Sequence, residues 1–291
     1  MALFRLSQPP APPGVGEPCL RNLLPRHDCQ ACVAACPVQA ITATASTPSI
    51  DEGECLQCGR CLFACPTDAL QNIRPETRRF TGTTLVAPFS TLEPSVDELL
   101  MWHQEHGIRA VEMEMDKFPG WVRAVAALNI QLRELNAPVW QILPPQQKAV
   151  NAARRHFIKA NEVDVESATA RTGRRARRQA FSTLSEYRLA LDRALCTACG
   201  ACARICGENA LSLNEEALTF SSSSCTGCNS CAVVCPVDAI RIARQLGENR
   251  VLRFEWIQKS CRCCQREFYT FTPETDRCAV CQRHKYGMRE A

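Results

Sequence analysis

The chain of 291 residues has no uninterrupted apolar stretch approaching the roughly 18 residues that would span a bilayer, so membrane association would have to come through a partner. Residues 1–18 also lack an apolar leader core and contain Pro9, Pro10, Pro12 and Pro13, which reads as a flexible N-terminal arm rather than a secretory signal. No glycine-rich phosphate loop is present, which leaves flavin and nicotinamide binding unsupported and predicts no organic cofactor. Neither a catalytic dyad nor a substrate-site motif is evident, so the sequence is not that of a complete enzyme. The segment 81–161 contains no cysteine, although the chain as a whole has 21.

Those cysteines fall almost entirely in tight Cys-x-x-Cys runs, a spacing that suits metal ligation better than long cross-links and points to a reducing, cytoplasmic compartment. One region contains Cys19, Cys29, Cys32 and Cys36 before Pro37, then Cys55, Cys58, Cys61 and Cys65 before Pro66. A second contains Cys196, Cys199, Cys202 and Cys206, then Cys225, Cys228, Cys231 and Cys235 before Pro236. Three of these four runs have the spacing C-x2-C-x2-C-x3-C, and each is followed by a related segment: PVQAI, PTDAL, ENAL and PVDAI. Structural zinc fits such runs poorly, because zinc ribbons use pairs of cysteines. With no histidine in the regular runs, no labile coordination position for substrate is evident.

The runs and their continuations resemble the bacterial two-cluster ferredoxins, as found in polyferredoxin electron-transfer subunits of formate dehydrogenases and hydrogenases. The resemblance covers roughly 19–75 and 188–246. It implies that the fourth cysteine of each run closes the other cluster of its module. Carried over position by position, it gives Cys19, Cys29, Cys32 and Cys65 to a first 4Fe-4S cluster and Cys55, Cys58, Cys61 and Cys36 to a second. It gives Cys196, Cys199, Cys202 and Cys235 to a third and Cys225, Cys228, Cys231 and Cys206 to a fourth.

Two positions depart from the family pattern. Arg26 stands where the family has its first cysteine, and nine residues separate the nearest upstream thiol, Cys19, from Cys29. Cys19 through a longer loop is one solution; His27 or Asp28 as ligand, or a three-iron or missing cluster, are the others. Gly207 replaces the proline after Cys206, which should loosen that turn without removing the ligand.

Between the two regions the pattern changes period. Strands are expected at Thr84–Phe89, Ile108–Met115 and Val139–Leu143. A helix opens at the capping box Ser95-Val96-Asp97-Glu98 and ends at Gly107, a second runs from Trp121 to Leu135 after a Pro119-Gly120 turn, and a third covers 146–160. This alternation predicts a small α/β domain with a parallel sheet. Trp102, Trp121 and Trp140 read as core rather than a redox relay, and His103, His106 and His156 as solvated helix residues. Residues 162–187 form a basic connector whose Arg171, Arg174, Arg175, Arg177 and Arg178 are either a solvated face or counter-charge for an acidic redox partner or the chain's own clusters. Arg177-Arg178 is no twin-arginine export signal, since no apolar region follows.

Cys261-x2-Cys264 and Cys278-x2-Cys281, joined by a segment containing Phe268, Tyr269 and Phe271, resemble a zinc ribbon and imply one Zn2+ held by those four thiolates. Cys263 is left over, as an alternative ligand or a packed free thiol.

The expected organisation is an arm (1–18), ferredoxin module 1 (19–80), the central α/β domain (81–161), a basic linker (162–187), ferredoxin module 2 (188–247) and a zinc-ribbon-like tail (248–291). Four clusters and one zinc tetrathiolate would turn the formal charge of +4 into about −6, which weakens a nucleic-acid-binding reading. The expected function is single-electron relay to or from a molybdopterin or hydrogenase-type oxidoreductase. An assembly factor for an oxidoreductase and a redox-responsive nucleic-acid-binding regulator are the alternatives.

Overall fold

A computed structural model describes residues 11–44, 47–145 and 165–283. The helix expected over 146–160, and His156 with it, lies outside the described residues. The chain divides into two compact units: Met1–Leu23 with Cys29–Ala180, and Leu24–Asp28 with Phe181–Ala291. Among the described residues, no helix is long and apolar enough to cross a membrane.

The first unit begins with β1 (Gly14–Val15), α1 (Leu20–Leu23), α2 (Ala31–Ala35), β2 (Ile41–Thr42), β3 (Ser49–Ile50), α3 (Arg60–Ala64) and β4 (Leu70–Gln71). Strand β1 pairs with β4 and β2 with β3, both antiparallel, so two short ribbons flank the helical turns that carry the cysteines.

Then follow β5 (Arg78–Thr81), β6 (Thr84–Val86), α4 (Val96–Glu105), β7 (Ala110–Glu112), α5 (Pro119–Glu134), β8 (Gln141–Leu143), β9 (Glu166–Ala168) and α6 (Gly173–Ala180). One five-stranded sheet has the order β8-β7-β6-β5-β9. Its β6, β7 and β8 are parallel, as the strand and helix alternation predicts, but β5 and β9 extend it antiparallel. The sheet is therefore mixed, and its two added strands come from residues expected in the first module and in the basic linker.

Local chemistry explains the helices. Ser95 caps α4, its side chain accepting the Glu98 N–H at 3.1 Å. Pro119 sits in the first turn of α5, where its missing N–H costs nothing, so Pro119-Gly120 starts that helix rather than preceding it. Trp102, Trp121, Leu85, Leu99, Val111 and Leu128 are fully enclosed, and Trp140 nearly so. His103 is buried, not solvated as its polar neighbours suggest: its Nδ1 accepts the Trp140 Nε1–H at 3.1 Å. Nor is His106 solvated, being half-buried and stacked on Trp102 and Phe80. Arg78 and Glu98 form a buried ion pair at 2.5 Å, the guanidinium lying 4.6 Å over the Trp121 ring. On α6, Arg177 and Arg178 are buried, with Arg177 2.7 Å from Asp97. This part of the expected linker is thus a packed helix.

The second unit contains β10 (Leu184–Leu191), α7 (Ala201–Arg204), β11 (Leu211–Leu213), β12 (Ala217–Ser221), α8 (Ser230–Val233), β13 (Ile240–Glu248) and β14 (Val251–Glu255), then β15 (Ile257–Ser260), β16 (Glu267–Thr270) and α9 (Ala279–Arg283). Strands β10 and β13 form a ribbon much longer than its β1–β4 counterpart, and β14 adds a third strand to the β11–β12 pair. Its core joins Leu189, Leu211, Leu218, Phe220 and Ile240 to the cysteines.

Candidate cluster and metal sites

Each cysteine run wraps a tight loop and ends in a short helical turn, and the backbone repeats from run to run. Gly59, Gly200 and Asn229 stand directly before α3, α7 and α8 at φ +74°, +74° and +66°, in the left-handed region that glycine and asparagine tolerate. At the equivalent place in the first run Gln30 has φ −122°. The irregular sequence around Cys19 is thus also irregular in backbone.

Three residues beyond the last cysteine of each run the chain turns left-handed again, at Gln39, Asp68, Asn209 and Asp238, with φ between 51° and 56°. That turn buries the following alanine in all four cases. In two of them it also aims the alanine N–H at sulfur: Ala69 donates to Cys65 Sγ and Ala239 to Cys235 Sγ, both at 3.3 Å.

The sixteen cysteines gather into four groups, each around its own cavity. Cys19, Cys29, Cys32 and Cys65 line one, and Cys36, Cys55, Cys58 and Cys61 a second. Cys196, Cys199, Cys202 and Cys235 line a third, and Cys206, Cys225, Cys228 and Cys231 a fourth. The walls are otherwise largely apolar: Val15, Leu20 and Leu70 in the first, Val38, Ile41 and Ile73 in the second. Arg26, His27 and Asp28 do not line the first cavity. His27 instead places Nε2 2.9 Å from the Cys228 carbonyl oxygen, within the unit to which Leu24–Asp28 belongs.

Burial, followed by neighbouring cysteine charges, pushes the Cys32 and Cys202 thiols up to about 11 and those of Cys61 and Cys231 up to about 12. Cys29 is raised for the same first reason, with Cys65 and Cys19 adding to it. Holding four thiolates in such a place requires a compensating cation, which iron fits.

The tail is built differently. Strands β15 and β16 form a hairpin in register from Ile257–Thr270 to Ser260–Glu267, and Trp256 lies against the Tyr269 and Phe271 rings at 5.1 and 5.9 Å. Cys261 and Cys264 in the loop of the hairpin and Cys278 and Cys281 after it have all four sulfurs within 4.8 Å of one another. Among the described residues this is the one such group of possible metal ligands. Sulfurs about 2.3 Å from a tetrahedral ion stand about 3.8 Å apart; Cys264 and Cys278 are separated by 3.9 Å. Backbone N–H groups, that of Cys278 first, lower Cys261 to about 6, while burial raises Cys281. The four sulfurs therefore fit a single ion, and the sixteen others fit larger centres. Cys263 is exposed and outside the group. All 21 cysteines are free of disulfides.

Residues 26–69 and residues 189–242 each match a family model described as a 4Fe-4S dicluster domain. The chain carries two 4Fe-4S dicluster ferredoxin domains. The first match begins at Arg26 and so leaves out Cys19. Over 61 residues the chain is 36% identical to "Putative oxidoreductase UacF" of Escherichia coli (strain K12), covering 20% of this chain and 10% of that protein. The chain thus spans only about a tenth of that relative's length.

Proposed function

We propose that this chain is an electron-transfer protein or subunit, without catalysis of its own, that relays single electrons through four 4Fe-4S clusters to or from a molybdopterin or hydrogenase-type oxidoreductase. The observation that carries the reading is the gathering of sixteen cysteines into four groups of four, each around an apolar-walled cavity. Cys19, Cys29, Cys32 and Cys65 would hold the first cluster and Cys55, Cys58, Cys61 and Cys36 the second. Cys196, Cys199, Cys202 and Cys235 would hold the third, and Cys225, Cys228, Cys231 and Cys206 the fourth. Clusters so held supply one-electron acceptance and release. The chain's own residues keep water out with aliphatic walls and direct the Ala69 and Ala239 N–H groups at ligand sulfur, both of which bear on potential.

Cys261, Cys264, Cys278 and Cys281 would hold one Zn2+ in a closed tetrahedral site that secures the tail. The match to a segment of an oxidoreductase supports a partner of that class, and the wealth of free thiols supports a cytoplasmic setting.

The test is anaerobic purification with iron, sulfide and zinc quantitation, then electron paramagnetic resonance of the dithionite-reduced protein. About 16 iron and about one zinc per chain are expected, with spectra of reduced cubanes. Intact clusters that no reductant of physiological range can reduce would overturn electron transfer.

A further inference from the structure

A single residue, Trp256, stands between β14 and β15 and so joins the three-stranded sheet of the second unit to the hairpin of the tail. Its backbone N–H donates to the Glu216 carbonyl and its Nε1–H to the Glu215 carbonyl, both at 3.0 Å, which ties it to the turn between β11 and β12. From there the indole lines the cavity of Cys196, Cys199, Cys202 and Cys235, beside Leu213, Leu218 and Ile240. Among the described residues, nothing from Trp256 onward lines the other three cysteine cavities.

The same indole is held from the tail, with the Tyr269 ring at 5.1 Å and the Phe271 ring at 5.9 Å. Two strands of four residues make a hairpin too small to stand alone in water. An ion held by Cys261, Cys264, Cys278 and Cys281 would brace it, by fixing the loop of the hairpin to the segment that follows. A second contact joins the same two places: Arg283, two residues beyond Cys281, donates to the carbonyl of Pro236 at 3.4 Å, and Pro236 directly follows Cys235. Of the sixteen cysteines around the four cavities, Cys199 is the exposed one, so this cavity already borders solvent where a displaced wall would open it.

We propose that Trp256 is the positioning residue through which the metal site of the tail sets the reduction potential of the third cluster: with the tail braced the indole closes the cavity wall, and with the tail loosened water enters. This rests on the cluster and zinc readings above. Reduction adds one electron from an external low-potential donor and makes a cluster with four thiolates about one unit more negative than its oxidised charge of about −2. Water stabilises that added charge better than an indole does, so the closed wall holds the potential low and an opened one raises it.

The test is an equilibrium redox titration of the anaerobic full-length holoprotein, followed by electron paramagnetic resonance, with iron and zinc quantitation of each sample. Cys261→Ser, free of zinc and with full iron, is expected to move one midpoint positive, by about tenfold in the reduction equilibrium, about 59 mV for a one-electron couple. The signal it moves should be the one lost or altered in Cys199→Ala. Trp256→Ala with its zinc retained should move the same midpoint in the same direction, and the double variant should move it no further than either change alone. Trp256→Phe keeps an aromatic wall and should shift that midpoint less than alanine does.

Four unmoved midpoints in a zinc-free Cys261→Ser protein with full iron would overturn the inference and leave the cluster and zinc readings standing. So would a moved signal that Cys199→Ala leaves intact, or shifts that add in the double variant. If Trp256→Ala fails to hold its clusters, Cys261→Ser decides by whether the midpoint it moves is that of the third cluster. A wild-type chain with full iron and no zinc would instead defeat the zinc reading beneath the inference, and one without clusters the cluster reading.

Discussion

His103 should make the central domain acid-sensitive in a calculable way. Burial first, and then the nearby Arg109 guanidinium, lower its pKa from 6.5 to about 4. Its Nδ1 accepts a hydrogen bond from Trp140, which the neutral ring can do and the imidazolium cannot. An unfolded chain protonates this histidine as pH drops below about 6.5, whereas the folded one resists until about 4, so stability falls with pH across that window. Between pH 7 and pH 5 the linkage is worth about 1.8 kcal/mol, and across the whole window about 3 kcal/mol. Urea unfolding followed by tryptophan emission suits the measurement, because Trp102, Trp121 and Trp140 all lie in this domain and Trp256 alone lies elsewhere. Any acid loss of clusters is shared with His103→Gln, so the difference between the two proteins isolates the histidine. Wild type should lose about 1.8 kcal/mol more than the variant from pH 7 to pH 5. Equal losses, or a His103 ring resonance titrating near 6.5, would refute the reasoning.

Other perturbations test the sites and the frame. Cys65→Ala should remove about a quarter of the iron, and the double variant with Cys19→Ala should lose no more, whereas adding Cys58→Ala should double the loss; the reverse pattern would show that clusters are closed within single runs. Cys261→Ser should release zinc and leave iron unchanged by elemental analysis. Glu98→Gln leaves the Arg78 guanidinium, 4% exposed, with only the half-buried Glu76 carboxylate at 3.2 Å and should cost about 3 kcal/mol in urea unfolding. Replacing both partners by leucine should recover much of that loss.

The convergence of three cysteines in each run was legible from spacing, whereas the crossing of the fourth to the other group came only from the resemblance to two-cluster ferredoxins, and the structure lines its four cavities in that same crossed grouping. In the irregular first run, where the sequence left several ligands open, Cys19 lines the cavity together with Cys29, Cys32 and Cys65. The tryptophan core of the α/β segment was equally readable. The polar interior was not. His103 sits among glutamine and glutamate, and its burial follows from α4 being enclosed from Glu98 through His103, which erases the one-sided periodicity of a surface helix. The arginine run reads as solvated because its neutralising partners, Asp68 and Asp97, are distant in sequence. Strands β5 and β9 were missed because each is an edge addition to a sheet whose other strands announce themselves by alternation with helices.

The way β5 and β9 close the central sheet bears on how such a chain could have been assembled from duplicated modules. Excising residues 81–161 as an insert would leave residues 78–80 without β6 and Glu166–Ala168 beside them with no parallel strands to extend. It would also strip Glu98 from Arg78 and Asp97 from Arg177, removing a carboxylate from each of two buried guanidiniums. Residues 78–180 therefore behave as one block, and grafts between related chains should exchange that whole span, with the arginine helix travelling alongside the sheet it braces.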